Sequence, residues 1–516
     1  MENLLDGWGT TLATFSPLVG VAIMMLIPRE REHQHKMVAL VTSLWVAFLG
    51  VLLLIWFDMG QTGQLQFVVD KPWIDVISSR YLVGIDGMSL PLILLTMLIV
   101  PLCIVYSWDH FPDPVNPKAF LILILILETG MIGTFMAQDL VLFFVFFEVV
   151  LLPMFFMIAV WGGEDRRYAS LKFFLYTLFG SALMLVSFLA LFFLTGADTF
   201  SFAGLSDAVA AGGVSRTAQL WIFGGMFLGF AIKVPMFPFH TWLPDAHTQA
   251  PTVGSVILAA VLLKLGTYGF VRIAIPILPE AAVVWAPWIG LLAVIGIIYG
   301  ALGCLAQTDM KRLIAFSSVA HMGFVMLGIA TLTDFGINAA IMGMVAHGLI
   351  TGMLFFVAGS VKERFHTLEI NRLGGLLVQS PRMGWIFGFC VMASLGLPGL
   401  AGFWGEFPAI LSAYQPANGV PVEVFRTYMV IAALGTVLAA GYLLWLLQRV
   451  AFGNPTEEFA DDPNITDTTK HEWISWAPLL ALIVAIGIYP NLVFRVTDGA
   501  MLDFIEFTQR VKLPPP

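Results

Sequence analysis

Four ionisable side chains interrupt stretches otherwise apolar enough to be membrane spans: Glu148 in VLFFVFFEVVLLPMFF, Lys233 in GGMFLGFAIKVPMFPF, Lys264 in VILAAVLLKLGTYGF and Glu406 in LGLPGLAGFWGEFPAIL. A charge near the bilayer centre costs at least about 2.5–3.5 kcal/mol on insertion scales, so groups of this kind are by default part of a pathway for ions or protons. Buried Lys and Glu can also pair merely to hold helices together, and one such pair would carry little weight. Four sites together point to movement of charge.

Two histidines extend the pattern. His321 in SSVAHMGFVML and His347 in GMVAHGLITGMLFF lie in further apolar runs, between the lysines and Glu406 in sequence. A lone core histidine is usually just held by a hydrogen bond, yet histidine is the side chain that exchanges protons near neutral pH. Relay and packing both stay open. Ser, Thr and Tyr in the same runs can hold intervening waters. The segment FHTWLPDAHTQAPTVG (239–254) brings together His240, Asp245 and His247, all metal-ligand types. Pro244 and a non-helical spacing favour a packed re-entry loop over a metal site. No phosphate-binding glycine loop occurs, and nothing suggests a Ser/His/Asp or Cys/His nucleophile. Cys103, Cys304 and Cys390 are scattered in apolar runs and read as small core residues rather than a disulfide, zinc or iron–sulfur motif. No basic patch with interleaved aromatics suggests nucleic acid as a partner.

The elements that must position these groups are membrane helices. The 516 residues are 59% hydrophobic and 11% charged, with a mean hydropathy of +0.89, which excludes a soluble chain. Apolar runs of about 20 residues predict about fourteen spans, centred near residues 18, 46, 96, 126, 150, 180, 228, 262, 295, 321, 346, 397, 438 and 483. The opening MENLLDGWGTTLATFSP lacks the basic region of a secretory signal, so the first run reads as a retained span. Polar stretches at 58–80, 196–217, 360–382 and 453–472 read as loops, and the sequon at Asn464 in the last of them as chance.

Two spans are interrupted by proline and glycine, at Lys233-Val234-Pro235 with Pro238 and at Gly396-Leu397-Pro398-Gly399 with Gly402. Such breaks survive in a membrane only where the freed backbone faces protein or water. They fall in the seventh and twelfth spans, five apart, each beside an ionisable group. Paired broken helices in corresponding positions point to an inverted-repeat transporter. The predicted fold is therefore an all-α polytopic membrane protein with two inverted five-helix repeats, each containing a discontinuous helix. Residues 1–110 carry helices 1–3, 111–277 the first repeat (4–8), 278–452 the second (9–13), and 453–516 a loop, helix 14 and the amphipathic tail LDFIEFTQRV. Loops after odd-numbered spans hold about fourteen basic residues against about eight on the other side, which places both termini outside the cytoplasm.

VGIDGMSLPL (83–92), the Glu148 segment, FAIKVPMFPFHTWLPDAHTQAPTVGS (230–255), LLKLGTYGFVR (262–272), DMKRLIAFSSVAHMGF (309–324) and LPGLAGFWGEF (397–407) together resemble the antiporter-like membrane subunits of proton-pumping NADH:quinone oxidoreductase, complex I. The resemblance runs over nearly the whole chain. Within that superfamily the glutamate in the broken twelfth helix, here Glu406, marks the M type where other members commonly carry lysine. Gln249 departs from the glutamate of many members.

The resemblance implies that Glu148 pairs with Lys233, that Lys264 sits mid-path, and that His321, His347 and Glu406 continue a proton route. Burial disfavours a charged lysine and a nearby carboxylate favours it, so movement of Glu148 relative to Lys233 would switch the lysine between holding and releasing a proton. The resemblance also implies no cofactor in this chain, with FMN, iron–sulfur clusters and quinone in other subunits. The implied partners are L-type and N-type membrane subunits and membrane lipids, and the implied location is a bacterial inner (plasma) membrane. A subunit of a multisubunit cation/proton antiporter and a structural membrane scaffold are the alternatives.

Overall fold

The computed structural model describes residues 5–108, 111–460, 462–463 and 465–509; Asn464 of the sequon and the last residues of the tail lie outside them. Apolar runs became helices because a bilayer offers no partner for backbone amides, so each span must satisfy its own. In chain order they are α1 (Leu5–Leu26), α2 (Glu32–Trp56), α3 (Leu90–Tyr106), α4 (Pro117–Met136), α5 (Leu140–Trp161), α6 (Arg166–Thr195), α7 (Phe202–Ala210), α8 (Arg216–Lys233), α9 (Trp242–Gln249), α10 (Thr252–Ile277), α11 (Pro279–Leu305), α12 (Met310–Ala330), α13 (Asp334–Phe365), α14 (Pro381–Ser394), α15 (Ala401–Ser412), α16 (Val422–Ala451), α17 (Lys470–Ile488) and α18 (Asn491–Gln509). Eleven of these are long and apolar enough to cross a membrane. The 17-residue α3 and the pairs α8/α9 and α14/α15 occupy the remaining expected span positions.

Side-chain caps start the helices. Asn116 accepts from Ala119 N at 3.3 Å before α4, Asp139 from Val141 N and Leu142 N at 3.0 and 3.1 Å before α5, and Asp309 from Arg312 N at 2.8 Å before α12. Thr469 and Glu472 form a reciprocal capping box on α17. Glu472 also receives both guanidinium nitrogens of Arg364, each at 2.8 Å, which ties the end of α13 to the start of α17.

The core is built around α10, α12 and α13, whose apolar windows are 94%, 94% and 100% buried, against 33% for the peripheral α2. Lys264, His321 and His347 sit on those three helices. Close approach of α13 to α15 depends on paired glycines. A Cβ on Gly405 would lie 2.4 Å from Gly343 Cα, so Gly405 has no room for a side chain.

Both predicted breaks are present. The seventh span ends at Lys233 and resumes at Trp242; the twelfth ends at Ser394 and resumes at Ala401. In the second break Gly396 and Gly399 adopt φ of 73° and 94°, values open to glycine and costly for other residues. The first break is stitched by Trp242, whose Nε1 donates to Ile232 O at 2.9 Å.

Three of the expected loops contain regular structure. Residues 58–80 include most of an antiparallel hairpin, β1 (Gln66–Ile74) with β2 (Ser79–Ile85), paired from Gln66↔Ile85 to Ile74↔Ser79. The hairpin is tied to the helices: Thr10 Oγ1 of α1 donates to Phe67 O at 3.1 Å, and Gln138 N, between α4 and α5, donates to Leu82 O at 2.9 Å. Residues 196–217 include α7, capped by Ser201, and α13 runs on to Phe365 inside the stretch 360–382. The segment 239–254, expected as a loop, forms α9. Pro244 is tolerated there because it falls in the first turn, where backbone N–H groups have no helical partner. Outside the spans, the exposed Arg372 bonds to Glu458 and holds that carboxyl below the usual carboxylate range.

Candidate functional site

Lys264 lies on α10 between two widened turns, Leu258–Leu262 and Phe270–Ala274, in which the backbone is π-helical. The Leu263 N–H reaches back to Leu258 O and bypasses Ala259 O. Lys264 Nζ donates to that bypassed carbonyl at 2.5 Å. Such local widening is common where a helix carries a functional group. The same ammonium lies 2.8 Å from His347 Nδ1 on α13.

From His347 the line continues. The rings of His347 and His321 are 6.0 Å apart between centroids and inclined at 62°. His321 Nδ1 is 2.5 Å from Glu406 Oε1, and its Nε2 faces Ser394 Oγ at 3.1 Å and Tyr442 OH at 3.3 Å. A small cavity lined by His321, His347, Thr351, Ser394 and Glu406 lies between the two rings and the carboxylate. Its walls carry donors and acceptors of the kind that holds a water. Thus Lys264, His347, His321 and Glu406 are brought together, with His347 next to Lys264 and His321 next to Glu406, the reverse of their order in the chain.

Glu148 and Lys233, the expected pair, lie near one another and interact electrostatically. Lys233 is buried at the C-terminal end of α8, where the helix dipole favours a cation. Its Nζ lies over the Phe147 ring, 4.9 Å from the centroid, and not against the neighbouring carboxylate. Glu148 is half-buried on α5, near enough to Lys233 to interact with it electrostatically. No direct ion pair joins the two among the described residues. Lys233 is nonetheless close to the Lys264 helix, because a Cβ on Gly266 would meet Lys233 Cβ at 3.0 Å and Phe230 O at 2.8 Å.

The metal-ligand types of the 239–254 segment do not converge. Asp245 pairs with Lys172 at 2.7 Å and Arg312 at 3.6 Å. His240 packs on Phe237 and Tyr299, and His247 is stacked on Phe355 with ring centroids 4.5 Å apart. Among the described residues no group of three His, Cys, Asp or Glu is placed to hold a metal ion. All three cysteines are buried and unpaired.

Sequence reasoning passed over two polar groups in the spans. Glu128 on α4 is fully buried, and neither of its carboxyl oxygens has a hydrogen-bond partner among the described residues; the signal was available, an acid in the apolar run LILILILETG. Arg272 Nη2 lies 2.5 Å from Asp86 Oδ2 while its Nε donates to Tyr268 OH at 2.9 Å, and Tyr268 in turn donates to Phe135 O at 2.9 Å. This network ties α10 to the start of α3 and to α4. Asp86 and Arg272 stand in segments already singled out, VGIDGMSLPL and LLKLGTYGFVR, but nothing in one dimension pairs them.

Comparison with known proteins gives a consistent answer. Residues 137–432 match a family described as NADH:quinone oxidoreductase/Mrp antiporter, transmembrane, and residues 18–134 match the amino-terminal region of NADH-ubiquinone oxidoreductase chain 4. NADH-quinone oxidoreductase subunit M of Rhodobacter capsulatus is 42% identical, over 98% of this chain and 97% of its own. NADH-ubiquinone oxidoreductase chain 4 of Chondrus crispus is 40% identical, over 96% and 97%. A chain in the structure of respiratory complex I from Thermus thermophilus with bound NADH superposes with a TM-score of 0.85 at 29% identity, covering 97% of this chain and 99% of that one.

Proposed function

The chain belongs to the membrane-subunit family of NADH:quinone oxidoreductases, in its subunit M or chain 4 branch, and from that premise we propose how this multi-pass subunit translocates protons. The observation that carries the proposal is the buried line Lys264–His347–His321–Glu406. Lys264 as an ammonium donates to His347 Nδ1; handing over that proton leaves a neutral amine, which accepts from the same nitrogen on the return. From His347 the proton crosses the polar cavity, by way of a water, to His321 and Glu406. Glu148 and Lys233 form the other end, where a change in their separation sets when Lys264 is reloaded.

NADH oxidation, the flavin, the iron–sulfur clusters and the quinone site belong, in this reading, to other subunits, and the neighbours in the membrane are the L-type and N-type chains. Spans four to eight (111–277) and nine to thirteen (278–452) form two inverted repeats with broken helices at Lys233 and before Glu406. Fourteen spans put both termini outside the cytoplasm of a bacterial inner membrane. Single cysteines in a cysteine-free chain test that orientation: an impermeant thiol reagent applied to intact cells labels position 210 and leaves position 369 protected. The opposite pattern inverts the topology.

The proton line is tested at its middle. His347→Gln keeps a hydrogen-bonding side chain but removes the titrating ring, so proton pumping driven by NADH in the reconstituted complex falls several-fold while NADH oxidation by an artificial acceptor is preserved. Pumping at the wild-type rate in the assembled variant removes His347 from the route.

A further inference from the structure

An apolar cleft on the membrane-facing side, outside the proton line, is bounded by α2, α3 and α17. Its walls include Leu40 and Leu44 of α2, Leu98, Pro101 and Leu102 of α3, and Ile474 of α17. On α2 the lining runs from Met37 to Ala47. At 1.5 Å per residue that is about 15 Å, half of a hydrocarbon core about 30 Å thick. The cleft is one leaflet long. Through the shared Leu98 it meets a second apolar cleft, walled by Leu54, Leu94 and Val493, that covers the other half.

The two ends of the first cleft differ. One end opens on Leu98 and hydrocarbon. The other is closed by Trp108 and His471, with Lys36 beside them. Lys36 Nζ donates to Trp108 O at 2.6 Å and lies 5.0 Å from the Phe111 ring centroid. An ammonium has three donor positions, and that carbonyl takes one of them. His33 packs edge-on against Trp108 at 6.1 Å. Lys36 also borders a wider polar cavity in which the acids Glu32, Asp113 and Glu363 are outnumbered by Lys36, Arg166, Lys311 and Lys362. An acyl-length apolar slot with a cation and an indole at its interfacial end has the chemistry of one lipid molecule, tail and headgroup together.

We propose that this cleft holds an anionic phospholipid, with one acyl chain between α2, α3 and α17 and its phosphate on Lys36. Only the naming of the leaflet, the cytoplasmic one, rests on the orientation given under Proposed function; selection for a charged headgroup does not. The match to a lipid is specific in one respect that a neighbouring subunit's helix would not require: the cation sits at the interfacial end of an otherwise apolar slot.

The test uses the whole complex, purified in mild detergent, delipidated and then loaded with dioleoylphosphatidylglycerol or dioleoylphosphatidylethanolamine, with retained lipid counted by native mass spectrometry. Wild type retains phosphatidylglycerol in preference. Lys36→Ala weakens that retention about fivefold, the worth of one basic side chain at an anionic surface, and leaves phosphatidylethanolamine unchanged. Ala47→Trp fills the slot and displaces both. Equal retention of the two lipids in wild type and both variants overturns the proposal. A photoreactive p-benzoylphenylalanine at position 44 gives an independent readout. Adducts with lipid support the assignment, and adducts with a neighbouring polypeptide make the cleft a subunit interface and overturn it. Because the readout is bound lipid and not pumping, this inference and the proton route fail separately.

Discussion

Glu148→Gln removes most NADH-driven proton pumping from an assembled complex, whereas Glu148→Asp keeps part of it. Gln is nearly the same size as Glu and still polar, so folding and packing around α5 are retained. What is lost is the charge. The carboxylate and Lys233 interact without a direct ion pair. A negative charge near an ammonium favours the protonated lysine, so its removal shifts the balance toward the neutral amine. A gap of this kind also suits a switch better than a tight pair does, because a modest shift of α5 against α8 changes the interaction without breaking hydrogen bonds. Asp keeps the charge on a shorter arm, so the coupling weakens without vanishing. Proton uptake is measured with a pH-sensitive dye in proteoliposomes, with subunit content checked on the same preparation; wild-type pumping by the Gln variant rules out Glu148 as the partner of Lys233.

The groups on the line were legible because a charge in an apolar run is a one-dimensional signal. Lys264 and Glu406 announce themselves by the residues on either side of them. Their connection was not legible, since the 2.8 Å contact of Lys264 with His347 and the 2.5 Å contact of His321 with Glu406 are made between helices. Helix packing decides those contacts: α15 reaches α13 only because Gly405 and Gly343 face each other. The same limit explains the order of the histidines, which the chain gives as 321 then 347 and the packing reverses. Phe147 adds a detail of the same kind: its ring packs against the Lys233 ammonium, 4.9 Å from the centroid, a contact that no one-dimensional pattern shows. The broken spans could be read directly, because Pro235, Pro238, Pro398 and Gly399 restrict or free the backbone at known places. The hairpin at Gln66–Ile85 lies in a stretch polar enough to read as a loop, although the β-branched and aromatic residues of QFVV and RYLVGI flank a turn.

Lys264 separates a proton carrier from a structural cation more sharply than any other position. Arg keeps the positive charge and can still donate to Ala259 O and His347 Nδ1, yet a guanidinium is not deprotonated in a protein. A carrier must exist in both forms. Lys264→Arg is therefore expected to assemble and to pump as poorly as Lys264→Ala, while a purely structural role has Arg rescuing what Ala destroys. The geometry makes the comparison demanding, because Lys264 is fully buried and the planar fork is larger than an ammonium. The widened turns on either side give the helix some room, and assembly is established first by the subunit content and melting temperature of the purified complex. With Arg in place, His347 Nδ1 faces a permanent donor, so that nitrogen stays an acceptor and the proton cannot pass to it from the Lys264 side. The block thus lies at the first transfer, upstream of His321 and Glu406, and no downstream substitution relieves it: Lys264→Arg combined with Glu406→Gln pumps no worse than Lys264→Arg alone. Wild-type pumping by the assembled Arg variant would show that Lys264 does not carry the proton, and the route from α8 to α15 would then have to bypass α10.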